Sequence, residues 1–245
     1  MSVEVRSALL VPEGDGVTVK RLMPLAGHMN FDPFVLWDHF DITKGGFPPH
    51  PHRGFEAITW MFAGGMQHKD NLGNEGTVHA GGAQRFTAGR GITHSEMPDG
   101  HAAGIQLWIN LPQRLKRIDA DYQQADADAV PREEADGVSL LHIVGEHGAV
   151  QLHTDVEYLE ISLTAGSRMQ RNIDAGWRGI IYVVEGEAKL HTEDGSSALS
   201  LAAGDAAHVE KESSLSIHSR EGARLMWCFG VPHHEPIRQH GPYVD

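Results

Sequence analysis

Short runs of apolar, β-branched and aromatic residues recur along the chain, each closed by Gly, Pro, Asp or Asn. They include Ala57-Ile58-Thr59-Trp60-Met61-Phe62, Gln106-Leu107-Trp108-Ile109-Asn110-Leu111, Leu140-Leu141-His142-Ile143-Val144, Tyr158-Leu159-Glu160-Ile161-Ser162-Leu163, Ile180-Ile181-Tyr182-Val183-Val184 and Leu225-Met226-Trp227-Cys228-Phe229. No long stretch repeats at helical spacing between caps, and 28 glycines punctuate the sequence. Such runs bury as strands, so the pattern predicts an all-β sandwich or barrel. Strand parity places Ile105, Leu107, Ile109 and Leu111 on one face and Gln106, Trp108 and Asn110 on the other.

At 245 residues the chain holds either one large domain or two that each bury a core. The stretch from Arg117 to Gly137 is acidic and poor in large apolar residues, and reads as a linker. Domains are therefore expected at 1–130 and 131–245. The halves look like diverged copies. Arg53-Gly54 before one strand is echoed by Arg178-Gly179, and Ala88-Gly89 before His94 by Ala203-Gly204 before His208. In that register His50 and His52 match Ala175 and Trp177, so the second copy lacks the histidine pair.

An excess of 33 acidic over 20 basic residues, a formal charge of -13, argues against direct nucleic-acid binding through a basic surface. The short cluster Arg114-Leu115-Lys116-Arg117 reads as a solvated face. With Cys228 as the one cysteine, neither an intrachain disulfide nor a cysteine-based zinc site is available. The N-terminus lacks a signal-peptide pattern, and no window approaches the ~18 apolar residues that cross a membrane. A cytoplasmic protein without membrane association is expected.

Candidate chemistry gathers at His50-Pro51-His52 and His94-Ser95-Glu96. Residues i and i+2 of a strand share a face, so each pair offers two donors to one cavity. Three imidazoles and a carboxylate suit iron(II), manganese, nickel, copper or zinc better than calcium or magnesium. Surface or capping histidines are the other reading, because the chain carries 17 histidines. The remaining histidines, His68 among them, lack this pairing pattern, and His191 and His208 are expected to contribute no ligand.

These residues resemble the pirin family of the cupin superfamily. Asp32-Pro33-Phe34 is similar to its opening, Phe47-Pro48-Pro49-His50-Pro51-His52-Arg53-Gly54-Phe55-Glu56 to its first signature, and Thr87-Ala88-Gly89-Arg90-Gly91-Ile92-Thr93-His94-Ser95-Glu96-Met97-Pro98 to its second. Gly104 to Pro112 and Gln239-His240-Gly241-Pro242-Tyr243-Val244 resemble two further family segments. Family members usually continue past that last segment with a helix, whereas this sequence ends at Asp245. The resemblance implies a bicupin, two double-stranded β-helix barrels packed face to face. One metal, most often iron, would sit in the N-terminal barrel on His50, His52, His94 and Glu96.

It further implies a quercetin 2,3-dioxygenase that opens a flavonol or similar enol-bearing aromatic with dioxygen. The alternative is a non-catalytic, metal-dependent redox sensor that binds a regulatory protein. For the enzyme, Glu96 is the candidate base, being the one carboxylate in the set, with pure ligation as its other reading. Phe47, Met66 (expected in a loop) and Gln106 are candidate substrate contacts in an apolar pocket. Glu56 is a candidate partner for a ligand imidazole.

Overall fold

The computed structural model describes residues 3–193 and 198–245. Among them the chain forms strands and two 3-10 turns, at Gln113–Leu115 and Ala127–Ala129, and no α-helix. It divides into two compact units. The first holds residues 9–130, 149–154 and 233–245, and the second holds the N-terminal segment through Ala8 with 131–148 and 155–232. The chain thus leaves the first unit after Val130, while each terminal segment lies with the other unit rather than with its sequence neighbours.

β1 (Val3–Ser7) belongs to the second unit, and the first is built from β2 (Leu9–Glu13), β3 (Val17–Met23), β4 (Phe34–Ile42), β5 (Phe47–His52), β6 (Phe55–Asp70), β7 (Glu75–His79), β8 (Ala83–Thr87), β9 (Ile92–Asn110) and β10 (Asp121–Ala125). The order is β10-β8-β6-β9-β4-β3-β2, with β5 on β9 and β7 on β6. β6 and β9 are long enough to serve both layers because bulges bend them, at Phe62 and at Gly65. Gly64 sits at that bend with φ +69°, where a Cβ would meet the His101 carbonyl oxygen at 2.0 Å. Glycine is required there.

The second unit repeats the plan with β11 (Arg132–Ala135), β12 (Val138–Val144), β13 (Val156–Leu163), β14 (Arg168–Asn172), β15 (Arg178–Thr192), β16 (Ala198–Ala202), β17 (Asp205–Glu210), β18 (Ser214–His218) and β19 (Ala223–Gly230). Its order is β1-β17-β15-β19-β13-β12-β11, so β1 takes the place that β10 has in the first unit. The expected linker at 117–137 carries β10 and β11. Both are edge strands, which need few apolar residues, and every residue of β11 is exposed. A final pair, β20 (Gln239–His240) and β21 (Tyr243–Val244), closes the first unit.

Sheet register corrects the expected alignment of the halves. In the first unit Asp70, His94 and His50 pair across β6, β9 and β5, as do His68, Glu96 and Phe47. The same strands of the second unit bring together Thr192, Leu215 and Arg171, then Leu190, Ile217 and Met169. The counterparts of His50 and His52 are therefore Arg171 and Ile173, not Ala175 and Trp177. His208 stands in β17, the counterpart of β8, rather than at the place of His94. Leu190, Leu215, Ile217 and Ile173 all belong to one apolar core.

Candidate metal centre

β5 and β9 pair so that His50 stands opposite His94, with His52 two residues along the same face. One nitrogen from each of His50, His52 and His94 lies within 4.8 Å of the other two. Glu96 is not in that trio. It forms a second trio at the same limit with His94 and His68, all three buried. The two clusters share His94 and together hold five donors.

Hydrogen bonds decide which nitrogens are free. His50 Nδ1 lies 2.8 Å from the Pro48 carbonyl oxygen and His52 Nδ1 3.2 Å from that of Pro242. A carbonyl only accepts, so each Nδ1 carries the proton and each Nε2 presents a lone pair. His50 Nε2 is 3.1 Å from His94 Nε2. Burial first, then the neighbouring His50, pushes His52 down to about 3. His94 is held well below the ordinary imidazole value by burial and by His52, His50 and His68. Phe86 stacks on His52 at 5.5 Å and Trp108 meets it edge-on at 4.9 Å, which supplies the dry wall.

Glu96 is fixed through one oxygen. Gln84 Nε2 donates to Oε1 at 2.6 Å and Thr59 Oγ1 at 3.1 Å, and neither bond uses Oε2. Tyr122 donates to Gln84 at 3.1 Å and stacks on His68 with centroids 4.3 Å apart. His68 Nε2 lies 3.1 Å from Asp70, which also accepts from the Leu72 and Asn74 amides. Against the cost of burial, the bonds from Asn74 and His68 hold the Asp70 carboxyl below its usual range. The His68 proton therefore sits on Nε2, and its Nδ1 is a buried nitrogen with no hydrogen-bond partner, as is His94 Nδ1. Crowded imidazoles, two of them with orphaned buried nitrogens, beside a buried carboxylate fit an intermediate divalent cation. His68 is the donor that the sequence pattern missed.

A cavity of about 600 Å³ opens onto these groups. Phe47, Met66, Gln106, His50, His52 and Glu96 all line it. Met66 lies within β6 and is buried, not in a loop. Gln106 Oε1 lies 2.5 Å from Thr59 Oγ1 and shares that hydroxyl's single proton with Glu96. Glu56 does not partner a ligand imidazole. Its buried carboxylate, whose pKa burial raises, accepts from Thr87 Oγ1, the His153 amide and Thr154 Oγ1. His191 and His208 stand in neither donor cluster.

Lys116 corrects the expected solvated face. Its side chain is buried, and Nζ donates to the Gly54 and Val244 carbonyls at 2.8 Å each and to Asn110 Oδ1 at 2.5 Å. Together with the Arg53–Asp245 pair, at 2.8 and 3.0 Å, it ties the C-terminal hairpin beside the histidines.

Two units of this topology define a cupin-type two-domain fold. The pirin family model matches residues 16–109 and the pirin C-terminal cupin domain residues 158–245. The chain belongs to the pirin family. It is 38% identical to a Pseudomonas aeruginosa protein provisionally named a quercetin 2,3-dioxygenase, over 99% of this chain and 90% of that one. The structure of quercetin 2,3-dioxygenase from Acinetobacter baumannii is similar at TM-score 0.88 and 27% identity, covering 98% of this chain and 90% of that one. A bacterial pirin of Escherichia coli in complex with nickel(II) shares the fold at TM-score 0.77 and 23% identity, over 94% and 99% of the two chains. Among the described residues no helix is long and apolar enough to cross a membrane.

Proposed function

We propose that this protein is a metal-dependent dioxygenase of the quercetin 2,3-dioxygenase type, acting on a flavonol or similar enol-bearing aromatic. The observation that supports the reading is a pair of donor trios, His50-His52-His94 and His68-His94-Glu96, that share His94, beside a cavity of about 600 Å³ lined by His50, His52 and Glu96, within the size range of small-molecule sites. The ligand set is those four residues, and iron(II) is the proposed ion. When bound, the ion supplies Lewis acidity and a meeting point for dioxygen and an enol oxygen.

The chain's own residues do the rest. Glu96, steadied at Oε1 by Gln84 and Thr59, acts as a weakly held ligand that swings off to take the enol proton on Oε2. Phe47, Met66 and Trp108 flank the flat ring system and exclude water, and Gln106 orients it. Overall, a flavonol and one dioxygen give a ring-opened ester and carbon monoxide, which balances. A cytoplasmic setting belongs to the same proposal.

The test is elemental analysis of protein purified without chelator, followed by oxygen-electrode assays with quercetin on iron-, nickel-, manganese- and copper-loaded samples. About one metal per chain, lost in a His50→Ala, His94→Ala double variant, is expected together with dioxygen uptake in at least one form. If every loaded form fails to consume dioxygen, the enzyme reading gives way to a metal-gated binding protein.

A further inference from the structure

One transverse row of the first unit differs in kind from its neighbours. Directly paired residues of an antiparallel sheet share a face. Gln84 pairs with Thr59, Thr59 with Gln106, Gln106 with Asp38 and Asp38 with Arg21, so these five polar side chains run side by side across β8, β6, β9, β4 and β3. The rows on either side are largely apolar: Phe86, Ala57, Trp108 and Leu36 on one, Met61, Gly104, Phe40 and Val19 on the other. In the second unit the same row reads Ala207, Ile181, Trp227 and Leu159, all in its core, and ends in β12 at His142, the one polar member. A polar line through an apolar barrel is therefore a property of the unit that carries the cavity.

Its near end holds Glu96, through Gln84 and Thr59. Its far end is an ionic wall. Arg21 Nε donates to Asp38 at 2.8 Å, and Nη2 donates to Asp38 at 2.6 Å and to Glu13 at 2.5 Å. Asp38 is nearly buried, and that burial pushes its carboxyl up to about 6 against the pull of Arg21. Gln106, Asp38, Arg21, Glu13 and Asp15 all line the cavity. Gln106, the member of the row nearest Glu96 that lines the cavity, lies two strands from Arg21, about 10 Å along the sheet at a spacing of ~4.8 Å per strand.

We infer that the cavity-facing part of this row, Gln106, Asp38 and Arg21 together with Glu13, is a recognition surface for the hydroxyl groups of a flat, uncharged, polyhydroxylated aromatic, with Asp38, Arg21 and Glu13 reading the ring farthest from Glu96. A hydroxyl both donates and accepts, so it matches a carboxylate–guanidinium pair from either side. A carboxylate on the same ring meets Glu13, Asp15 and Asp38 against one Arg21, and is rejected by their excess negative charge. The inference rests on the proposed dioxygenase reading only for which end of the ligand reacts.

The test uses metal-loaded full-length protein under argon, with quenching of tryptophan fluorescence as the binding signal. Four flavonols identical at the enol ring are titrated, carrying no, one or two hydroxyls or one carboxylate on the far ring. Affinity is expected to rise about tenfold or more from no hydroxyl to two. The carboxylate is expected to bind weakest, and the gradient to flatten in Asp38→Asn. Should that variant fail to fold by circular dichroism, Glu13→Gln at the more exposed rim serves the same comparison. Equal affinities across the series in the parent protein overturn the inference, even where dioxygen uptake upholds the enzyme reading. Graded binding without dioxygen uptake in any metal form sustains the inference and removes that reading, and no binding of any of the four removes both.

Discussion

Glu96 is where ligation and proton transfer separate. Glu96→Gln keeps a neutral oxygen at the same position but takes away the base. Turnover is expected to fall by about 10²–10⁴, with metal content falling far less, as read by oxygen electrode and elemental analysis of the same samples. A variant that loses its metal and its activity in step would leave Glu96 a ligand only. The i, i+2 pairs around it were legible because strand parity alone puts such residues on one face. His68 was not, since it meets Glu96 through the pairing of β6 with β9 across 28 residues of sequence, which spacing does not record. His68-Lys69-Asp70 carries its own signal, two polar residues that share a face and, here, a hydrogen bond. Glu56 misled for the opposite reason. Counted from His52 it has the right parity, but Arg53 and Gly54, the latter with φ +85°, separate β5 from β6, so parity does not carry across.

Among elements, the C-terminal hairpin is tied to the candidate centre more closely than its two short strands suggest. Pro242 offers the carbonyl that sets the His52 tautomer, and Lys116 holds the Val244 carbonyl that lies over Gly54. A Cβ at Gly54 would come within 1.9 Å of that oxygen, so strand and hairpin are in van der Waals contact. Lys116→Met strands three acceptors, two of them main-chain carbonyls. The expected result is a loss of about 2 kcal/mol or more in urea unfolding, since each buried orphan costs about 1–3 kcal/mol. Metal retention against a chelator should weaken about tenfold, the usual scale for a partner that orients a ligand imidazole. Unchanged retention in a destabilised variant would detach the hairpin from the centre. Composition hid this element because a basic run of four residues looks solvated, and only one of its cations turns inward. Polar edge strands hid themselves likewise: β10 and β11 carry the sequence of a linker because an edge needs pairing, not burial.

On the scale of the whole molecule, one topology is used twice with opposite interiors. The all-β class and the repeat were readable from Gly-punctuated runs, but the register was not. Arg53-Gly54 and Arg178-Gly179 match in sequence, whereas the bends at Gly64 and Gly186, with φ +69° and +75°, mark the true correspondence. Aligned on those bends, every donor position of the first unit is non-ligating in the second, with Leu215 at the place of His94 and Ile217 at that of Glu96. Imidazoles and a carboxylate held in a dry interior stabilise a fold less than close-packed leucine and isoleucine do. The second unit therefore serves as apolar framework, and its centre should tolerate loss of volume poorly while staying irrelevant to metal. Leu215→Ala empties space between Thr192 and Arg171 in a fully packed core. It should cost about 2–5 kcal/mol in urea unfolding, as cavity-forming substitutions do. Metal content of the folded variant should equal the parent's by elemental analysis. Metal loss from protein that remains folded would show that the second unit helps to build the centre, and would end the assignment of all ligands to the first.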